Sequence, residues 1–316
     1  MRTSSSLLKS DTNDIRRYKP VKKLLALMMT ALLLLSFAMA EETVIQPLPI
    51  DFSAGPAYDP ANLTESSYED ESICVTMKRV WIGKARFNVA RVKIADPSQL
   101  RVALAAPFGS TRTRKVSEIA GKNNAVIAIG GDYFSNNEGG YVIRMGEVYR
   151  RKPFSQRDML ITDINGDFHI IPAKQVKSVI NDVKANEDKI VNIFNFGPAL
   201  VIDGVKQEMP EKYIGNIHMV EPRCCIGQVG PLEYILVVVD GRGAADSEGC
   251  EVEVMAQFMY DQGCTQAYTL DGGNSALMYF GGANYSQKKV SNERDISDII
   301  YFATAIPAST DGTAGE

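Results

Sequence analysis

Three apolar segments of this chain each run without a break into an acidic, glycine-containing loop. The segments and their loops are Ala125–Ile129 with Gly130-Gly131-Asp132, Leu232–Val239 with Asp240-Gly241-Arg242, and Ala267–Leu270 with Asp271-Gly272-Gly273. A short continuous apolar run is consistent with a strand buried in the core, and loops on a rigid scaffold commonly carry site residues. We therefore expect Asp132, Asp240 and Asp271 to share one cleft edge. Three unrelated tight turns would give the same local pattern.

The rest of the chain predicts an α+β fold. The helical spacing of apolar residues predicts short helices over Val116–Lys122, Lys174–Lys184 and Glu251–Gln262. Pairs of strand-like runs with turn residues between them predict β-hairpins, and Asn165-Gly166 is the clearest such turn. We expect a mixed, largely antiparallel central sheet with a few packed helices and several β-hairpins.

The N-terminal region has the pattern of a secretory signal peptide. Basic residues precede the apolar run Leu24–Phe37, and the small-x-small triplet Ala38-Met39-Ala40 follows it. We predict a signal peptide over residues 1–40, an irregular lead-in over 41–71, one domain over 72–306 and a flexible tail over 307–316. An uncleaved anchor is the alternative. After cleavage we expect no stable membrane span and a secreted or periplasmic protein.

Charge and residue spacing argue against several kinds of site. Loss of residues 1–40 changes the net charge from −4 to −9, and there is no basic stripe with interleaved aromatic residues, so we expect no nucleic-acid partner. His169 and His218 have no partner His at metal-ligand spacing, the five cysteines have no C-x-x-C spacing, and no P-loop is present. We predict no metal and no cofactor. Most cysteines should be small core residues, and pairing of some after export stays open.

Carboxylates, arginines and glycine-rich backbone are what the candidate loops offer for chemistry. Two carboxylates across a sugar can supply a general acid and a nucleophile or base. Arg223, Arg242 and Arg294 could bind phosphate through paired N–H groups, although each alone is also consistent with a surface ion pair. The Gly272 and Gly273 amides could bind an anion oxygen. As a set, these residues predict a site for an anionic glycan.

Seven motifs, in their order along the chain, resemble the phosphodiester glycosidase family of the N-acetylglucosamine-1-phosphodiester alpha-N-acetylglucosaminidase type. They are KVSEIAGKNNAVIAIGGDYF (115–134), FGPALVIDG (196–204), EPRCCIGQ (221–228), LVVVDGR (236–242), SEGCEVEVMAQFMYDQG (247–263), LDGGNS (270–275) and ERDISDIIYF (293–302). Many bacterial members are labelled exopolysaccharide-related. The resemblance implies an exported glycoside hydrolase that cleaves the bond between a sugar C1 and a phosphate oxygen in a sugar-1-phosphodiester of a surface or extracellular glycan.

The resemblance also implies which residues form the cleft. The candidate catalytic residues are Asp132, Asp240 and Asp271. The candidate substrate-binding residues that it implies are Arg223, Arg242, Gly272, Gly273, Ser275 and Arg294, and we add Tyr133 and Asn274, which lie in the same loops, as further candidates. We expect Asp240 and Asp271 to include at least one proton-transfer residue and expect Arg223 and Arg242 to contact the phosphate. The assignment of acid and nucleophile stays open.

Three positions depart from the family pattern, and Gly130 in particular favours a rival function. Gly130 stands where the family usually has Asn, and Asn274 stands where it usually has a third Gly. The family usually has Thr or Ala near Cys224. A non-catalytic glycan-binding protein of the cell surface that uses the same cleft is therefore the alternative. A phosphodiesterase that cuts on the phosphate side is a third possibility.

Overall fold

Antiparallel strands make up most of the regular secondary structure of this protein, in a computed structural model that describes residues 44–213, 215–288 and 293–308. The predicted signal peptide and most of the predicted tail lie outside the described residues. Of the helices that the structure describes, none is long and apolar enough to cross a membrane.

The described residues form three α-helices and eighteen strands. The helices are α1 (Val116–Lys122), α2 (Ala173–Ala185) and α3 (Val252–Asp261). The strands are β1 (Ser67–Glu69), β2 (Ile73–Ile82), β3 (Ala85–Ile94), β4 (Leu100–Leu104), β5 (Ile127–Gly130), β6 (Gly140–Arg144), β7 (Glu147–Lys152), β8 (Met159–Asp163), β9 (Phe168–Ile171), β10 (Ile190–Phe194), β11 (Ala199–Ile202), β12 (Val205–Lys206), β13 (Arg223–Gly230), β14 (Glu233–Val239), β15 (Gln266–Leu270), β16 (Met278–Phe280), β17 (Ala283–Asn284) and β18 (Asp298–Phe302). The three predicted helices are confirmed, with ends that differ by at most one residue.

The strands form three sheets, and every ladder among the described residues is antiparallel. Sheet I has the order β1-β2-β3-β14-β13-β15-β11-β12, sheet II the order β7-β6-β10-β8-β9, and sheet III the order β17-β16-β5-β18-β4. The predicted α+β class and the largely antiparallel pairing are confirmed, whereas the sequence predicted one mixed central sheet and not three antiparallel ones. The difference arises because strand periodicity shows which face of a strand is buried but not which strand lies beside it.

One helix covers one face of each sheet. Met255 and Met259 of α3 pack on sheet I, Val183 of α2 packs on sheet II, and Ile119 of α1 packs on sheet III. An amphipathic helix removes the apolar face of a sheet from water, which is the main stabilising contribution in such a layered fold.

The opposite faces of the three sheets meet in one apolar core. This core contains Leu236 of sheet I, Phe194 of sheet II and Ile129 of sheet III. Because successive side chains of a strand point to opposite faces, Val237 of β14 points to the α3 side while Leu236 points into the core. Burial on both faces explains why residues 234–239 of β14 and 127–129 of β5 are unbroken apolar runs. β15 is also buried on both faces, with Thr269 as a buried polar residue within it.

Candidate active site

Asp240 and Asp271 lie at one edge of sheet I because β14 and β15 run in the same direction. Both strands pair antiparallel with β13, which lies between them. The residue before each aspartate pairs with the start of β13: Val239 with Arg223, and Leu270 with Cys224. The two acidic loops therefore lie on either side of the first residues of β13.

The Asp132 loop reaches the same edge from sheet III. β5 ends at Gly130, and the carbonyl of the next residue, Gly131, accepts a hydrogen bond of 3.1 Å from the Asp271 N–H. A side chain at Gly131 is excluded, since a Cβ there would overlap the Asp298 carboxylate. The three acidic loops thus converge, two of them through direct backbone contact.

Asp132 is buried and belongs to a group of three charged residues. Its Oδ1 accepts a hydrogen bond of 2.8 Å from Arg144 Nη2, and its Oδ2 accepts one of 2.7 Å from the Asn195 N–H. Arg144 is fully buried and also donates from Nε to Asp298 Oδ2 at 3.0 Å. Burial raises the pKa of the Asp298 carboxyl, and the Arg144 charge opposes this shift. The Asp132 carboxylate therefore joins the loop after β5 to Arg144 of β6 and to the backbone that follows β10.

The sequence-based candidates did not include Arg144 or Asp298. One signal for Arg144 was available, because it is the only charged residue in the segment Gly140–Met145. An arginine in a strand that is otherwise apolar is rarely fully buried unless it is paired. Asp298 lies in one of the seven motifs, but its position in the motif did not show that it would pair with Arg144.

Asp240 is also buried, and three donors hold its carboxylate. Its Oδ2 accepts hydrogen bonds from Arg86 Nε at 2.7 Å and from Asn88 Nδ2 at 2.8 Å. Its Oδ1 accepts one of 2.8 Å from the Gln287 N–H. The carboxylate thus joins β3 to the segment that follows β17. This arrangement fixes the orientation of the loop and leaves little of the carboxylate for a substrate.

Asp271 differs from the other two aspartates because it is only half-buried and lines an open cleft. This cleft, here called the Asp271 cleft, has a volume of about 190 Å³ and is lined in part by Phe196, Asn216, Arg223, Thr269, Asp271 and Gly272. Among the described residues, no group donates a well-formed hydrogen bond to the Asp271 carboxylate. It is the carboxylate of the three that a substrate could reach.

The surroundings of Asp271 shift its pKa. Burial raises the pKa of the Asp271 carboxyl, while the nearby Ser275 hydroxyl and the Arg294 charge lower it. The buried Ser275 hydroxyl makes no well-formed hydrogen bond within the described part of the chain. Since burial is the largest effect, Asp271 takes up a proton more readily than an ordinary aspartate. A shift of this kind suits proton transfer.

Arg223 lines the Asp271 cleft, but its guanidinium is bound to the backbone. Its Nε donates to the Cys250 carbonyl at 2.9 Å, and its Nη2 donates to the Asn216 carbonyl at 2.7 Å. Burial lowers its pKa. Arg223 therefore joins the segment before β13 to the start of α3, and fewer of its N–H groups remain for a phosphate than the sequence suggested.

A second and smaller hollow of about 90 Å³ lies between the Asp240 and Asp271 loops. We call it the basic pocket, formed by Asp240, Arg242, Gly273, Asn274, Lys288 and Arg294. Arg242 donates from Nε to Glu221 Oε2 at 2.7 Å and from Nη1 to Asn274 Oδ1 at 2.7 Å. Lys288 was not among the sequence-based candidates, since nothing in the polar segment around it marked it out.

Arg294, a residue of the basic pocket, lies over the ring of Tyr133. The Arg294 Cζ lies 5.5 Å from the centre of the Tyr133 ring, within the range of a cation–π contact. Tyr133 has a positive φ of 65°, a conformation that is uncommon for residues other than glycine. This turn directs the chain from β5 into the site and sets the ring beneath Arg294.

The two glycines after Asp271 allow close packing against Pro222. A Cβ on Gly272 would lie 2.8 Å from the Pro222 carbonyl oxygen, and Gly273 has a φ of +57°. The Gly273 N–H donates to that same carbonyl at 2.8 Å. The Gly273 amide, which the sequence suggested as an anion donor, is therefore already used within the protein.

Two larger hollows of about 730 and 620 Å³ are lined by other residues. The first includes Asp158, Lys174 and Tyr213, and the second includes Phe52 and Tyr149. Neither is lined by a residue of the three acidic loops. We therefore assign the candidate site by the residues that line it and not by the volume of the hollow. Within residues 44–213, 215–288 and 293–308, no three His, Cys, Asp or Glu residues are grouped so that they could hold a metal ion.

Comparison with known proteins gives a relative of known sequence and two of known structure. The SPbeta prophage-derived uncharacterized protein YomE of Bacillus subtilis (strain 168) is 25% identical over 198 residues, which is 61% of this chain but only 30% of that protein. The catalytic domain of zebrafish N-acetylglucosamine-1-phosphodiester alpha-N-acetylglucosaminidase, auto-inhibited by its pro-peptide, has a TM-score of 0.57 at 18% identity over 83% of this chain and 99% of that one. A hypothetical protein from Synechocystis has a TM-score of 0.51 at 17% identity over 73% of this chain and 62% of that one. At these identities the two structures share the fold.

A family profile extends the comparison to the site. The profile described as phosphodiester glycosidase matches residues 123–303. That range includes the three acidic loops, Arg144, the Asp271 cleft and the basic pocket. Because the match covers more than half of the chain and the whole of the candidate site, this chain belongs to the phosphodiester glycosidase family.

Proposed function

We propose that this protein is an exported hydrolase that cleaves the sugar C1–O bond of a sugar-1-phosphodiester in the Asp271 cleft. The observation that carries the proposal is the Asp271 carboxyl, which is accessible, has a raised pKa and lies beside a pocket of three cations. Family membership supports the hydrolase class. The signal-peptide pattern of residues 1–40 supports export, and with it a substrate in a surface or extracellular glycan. The zebrafish enzyme's name suggests an N-acetylglucosamine-1-phosphodiester as the first substrate to test.

In this mechanism Asp271 takes a proton from the attacking water. The C1–O bond breaks and the phosphate oxygen leaves with the electron pair. The water oxygen forms the new bond to C1 and gives its proton to Asp271, whose raised pKa brings it closer to the operating pH, as a general base requires. Asp132 and Asp240 hold the loops in place through their buried ion pairs.

The test is hydrolysis of N-acetylglucosamine-1-phosphodiesters, with nitrophenyl glycosides as a comparison. Asp271→Asn should lower kcat/KM by about 10²- to 10⁴-fold, which is the usual contribution of a general acid or base. Asp182→Asn, on the exposed side of α2, is the matched control and should leave turnover unchanged. Absence of turnover, or an Asp271→Asn variant as active as the wild type, would rule out the mechanism.

Labelled water separates this reaction from a phosphodiesterase. Cleavage at C1 places ¹⁸O in the sugar hydroxyl, whereas attack at phosphorus places it in the phosphate. Mass spectrometry of the two products after hydrolysis in H₂¹⁸O therefore identifies the broken bond. Label in the phosphate would show that the protein is a phosphodiesterase and would rule out the glycosidase proposal.

A non-catalytic glycan-binding protein is the second candidate, and Gly130 is the feature that favours it. A Cβ at Gly130 would lie 3.1 Å from the Ser275 carbonyl oxygen, so the loop packs closely against a position where the family usually carries Asn. Binding of a sugar phosphate without turnover would support this candidate. Hydrolysis gained by Gly130→Asn, with Gly130→Ala as the steric control, would identify a decayed enzyme.

A further inference from the structure

We propose that the basic pocket is a phosphoryl-binding subsite, with Lys288 as its central cation and Asn274 as the residue that positions it. The inference builds on the proposed function, because the phosphoryl group would be that of the sugar-1-phosphodiester. The sequence analysis expected Arg223 and Arg242 to contact the phosphate, and this inference adds Lys288 and gives Asn274, already a substrate-binding candidate, a positioning role.

The volume and position of the pocket fit a phosphoryl group. At about 90 Å³ it has less than half the volume of the Asp271 cleft, which is about 190 Å³. Arg242 and Gly273 line both hollows, so the hollows are adjacent. A sugar in the larger cleft would present its C1 substituent to the smaller one.

The charges around the pocket leave an excess of positive charge. The Asp240 carboxylate is compensated by Arg86, at 2.7 Å, and Arg242 is compensated by Glu221, at 2.7 Å. Lys288 and Arg294 form no ion pair with any described residue. Glu293, the carboxylate with the largest effect on the pKa of Lys288, accepts hydrogen bonds from Ser117 N–H and Oγ at 2.9 and 2.7 Å and forms no ion pair with Lys288. Two cations are therefore available to an anion.

Asn274 holds two of the cations against the wall of the pocket. Its Oδ1 accepts the hydrogen bond from Arg242 Nη1 at 2.7 Å, and its backbone carbonyl accepts one from Lys288 Nζ. Both acceptors are neutral, so they orient the cations without compensating their charge. Such an arrangement is pre-organised for an anion, which lowers the cost of ordering side chains on binding.

The state of Lys288 supports the same interpretation. Burial lowers its pKa to about 8, and the Arg294 charge acts in the same direction. Glu293 raises this pKa by more than Arg294 lowers it, and Asp271 and Cys224 raise it by smaller amounts. An anion beside the amine would stabilise the charged form. Binding near pH 8 should therefore take up protons, which a purely structural lysine would not show.

The test measures binding of inorganic phosphate and methyl phosphate to the whole chain by calorimetry, in two buffers of different ionisation enthalpy. Lys288→Met should bind about 10- to 100-fold more weakly, because a charge-assisted hydrogen bond is lost, and should lose the proton uptake. Asn274→Gly, which removes the Oδ1 that holds Arg242, should bind several-fold more weakly. Lys122→Met, at an exposed position of α1, is the matched control and should bind like the wild type.

Three outcomes separate this proposal from the proposed function. Equal phosphate affinity and equal proton uptake in the wild type and Lys288→Met would overturn the subsite. Phosphate binding that depends on Lys288, in a protein that hydrolyses no diester, would support the subsite and reject the hydrolase. Hydrolysis with the same KM in the wild type and Lys288→Met would support the hydrolase and reject the subsite.

Discussion

Arg144 compensates two buried carboxylates at once. Its guanidinium donates to both Asp132 and Asp298, and its Cζ lies 4.3 Å from the centre of the Phe194 ring. Burying any one of these charged groups without a partner would destabilise the folded protein, because the charge would lose its hydration. One cation against two anions leaves an excess negative charge, so Asp132 adds to the effect of burial in raising the pKa of Asp298.

Arg144→Met should lower the free energy of unfolding by about 3–5 kcal/mol at neutral pH, the usual effect of removing one partner from a buried charge pair. The loss should become smaller as the pH falls, because the Asp132 and Asp298 carboxyls that Arg144 no longer pairs with can then be buried in their neutral, protonated form. Urea unfolding between pH 4 and 8 measures both effects. Arg151→Met, which breaks an exposed pair with Glu187, should cost at most about 1 kcal/mol. Equal losses in the two variants would contradict the role of Arg144.

Asp271→Asn should make the protein more stable near neutral pH. Burial raises the pKa of Asp271, so its charged form is less favourable in the folded state than in the unfolded state, and the neutral amide relieves this difference. The gain should disappear as the pH falls below about 3.9, where the carboxyl is protonated in both states. Thermal unfolding against pH measures the effect, with Asp182→Asn as the control. A gain that persists in acid would exclude this origin.

At the scale of secondary-structure elements, the path β14–α3–β15 brings two of the acidic loops together. Both strands pair with β13, and strands that run in the same direction need a long crossover connection, which α3 supplies. The order α3, β15 and Asp271 loop thus shows how the chain returns to the edge of sheet I at which β14 ends.

Two glycines, Gly121 in α1 and Gly131 after β5, should respond in opposite directions to alanine. Gly121 lies within α1 without a positive φ, and the nearest atom to an added Cβ is Tyr279 Oη at 3.9 Å. Gly121→Ala should therefore raise the free energy of unfolding by roughly 0.5–1 kcal/mol. Gly131→Ala should lower it, because the added Cβ overlaps the Asp298 carboxylate. Chemical denaturation of both variants tests the pair, and a stabilised Gly131→Ala would contradict the packing described.

At the scale of the whole molecule, three sheets, each covered by one helix, enclose the core, and no disulfide joins them. All five cysteines are free, and four of them are buried. Burial raises the pKa of each of the five thiols. The buried thiols should therefore react slowly with thiol reagents. Reagents cannot reach them, and their raised pKa keeps them in the thiol form, whereas the thiolate is the reactive form.

A thiol reagent should label one cysteine of the native protein quickly. Cys74, on β2, is half-buried, so it should react first, although its raised pKa slows it. All five thiols should react after denaturation. Reductant should leave the thermal midpoint unchanged, because no disulfide contributes to stability. A midpoint that falls on reduction, or fewer than five thiols after denaturation, would show pairing that this structure lacks.

Sequence patterns predicted the three helices, the buried strands and the three acidic loops. These features are local: helices and strands repeat every 3.6 and 2 residues, so a window of ten residues is enough to recognise them. The family motifs added the order of the loops and pointed to Asp271 and Arg242. The division of the strands among three sheets was not predicted, because a pattern of burial does not identify the neighbouring strand.

By itself, the sequence determined the elements, the family and the loops in which chemistry is expected. Only the tertiary structure decided which aspartate is accessible, because Asp132 and Asp240 receive their partners from other elements. Arg144 is separated by 12 residues from Asp132 and by 154 from Asp298, and Arg86 by 154 from Asp240. The tertiary structure likewise brought Lys288 into the basic pocket and bound Arg223 to the backbone. The physical reason is that compensation of a buried charge depends on contacts between distant parts of the chain, which no local pattern records.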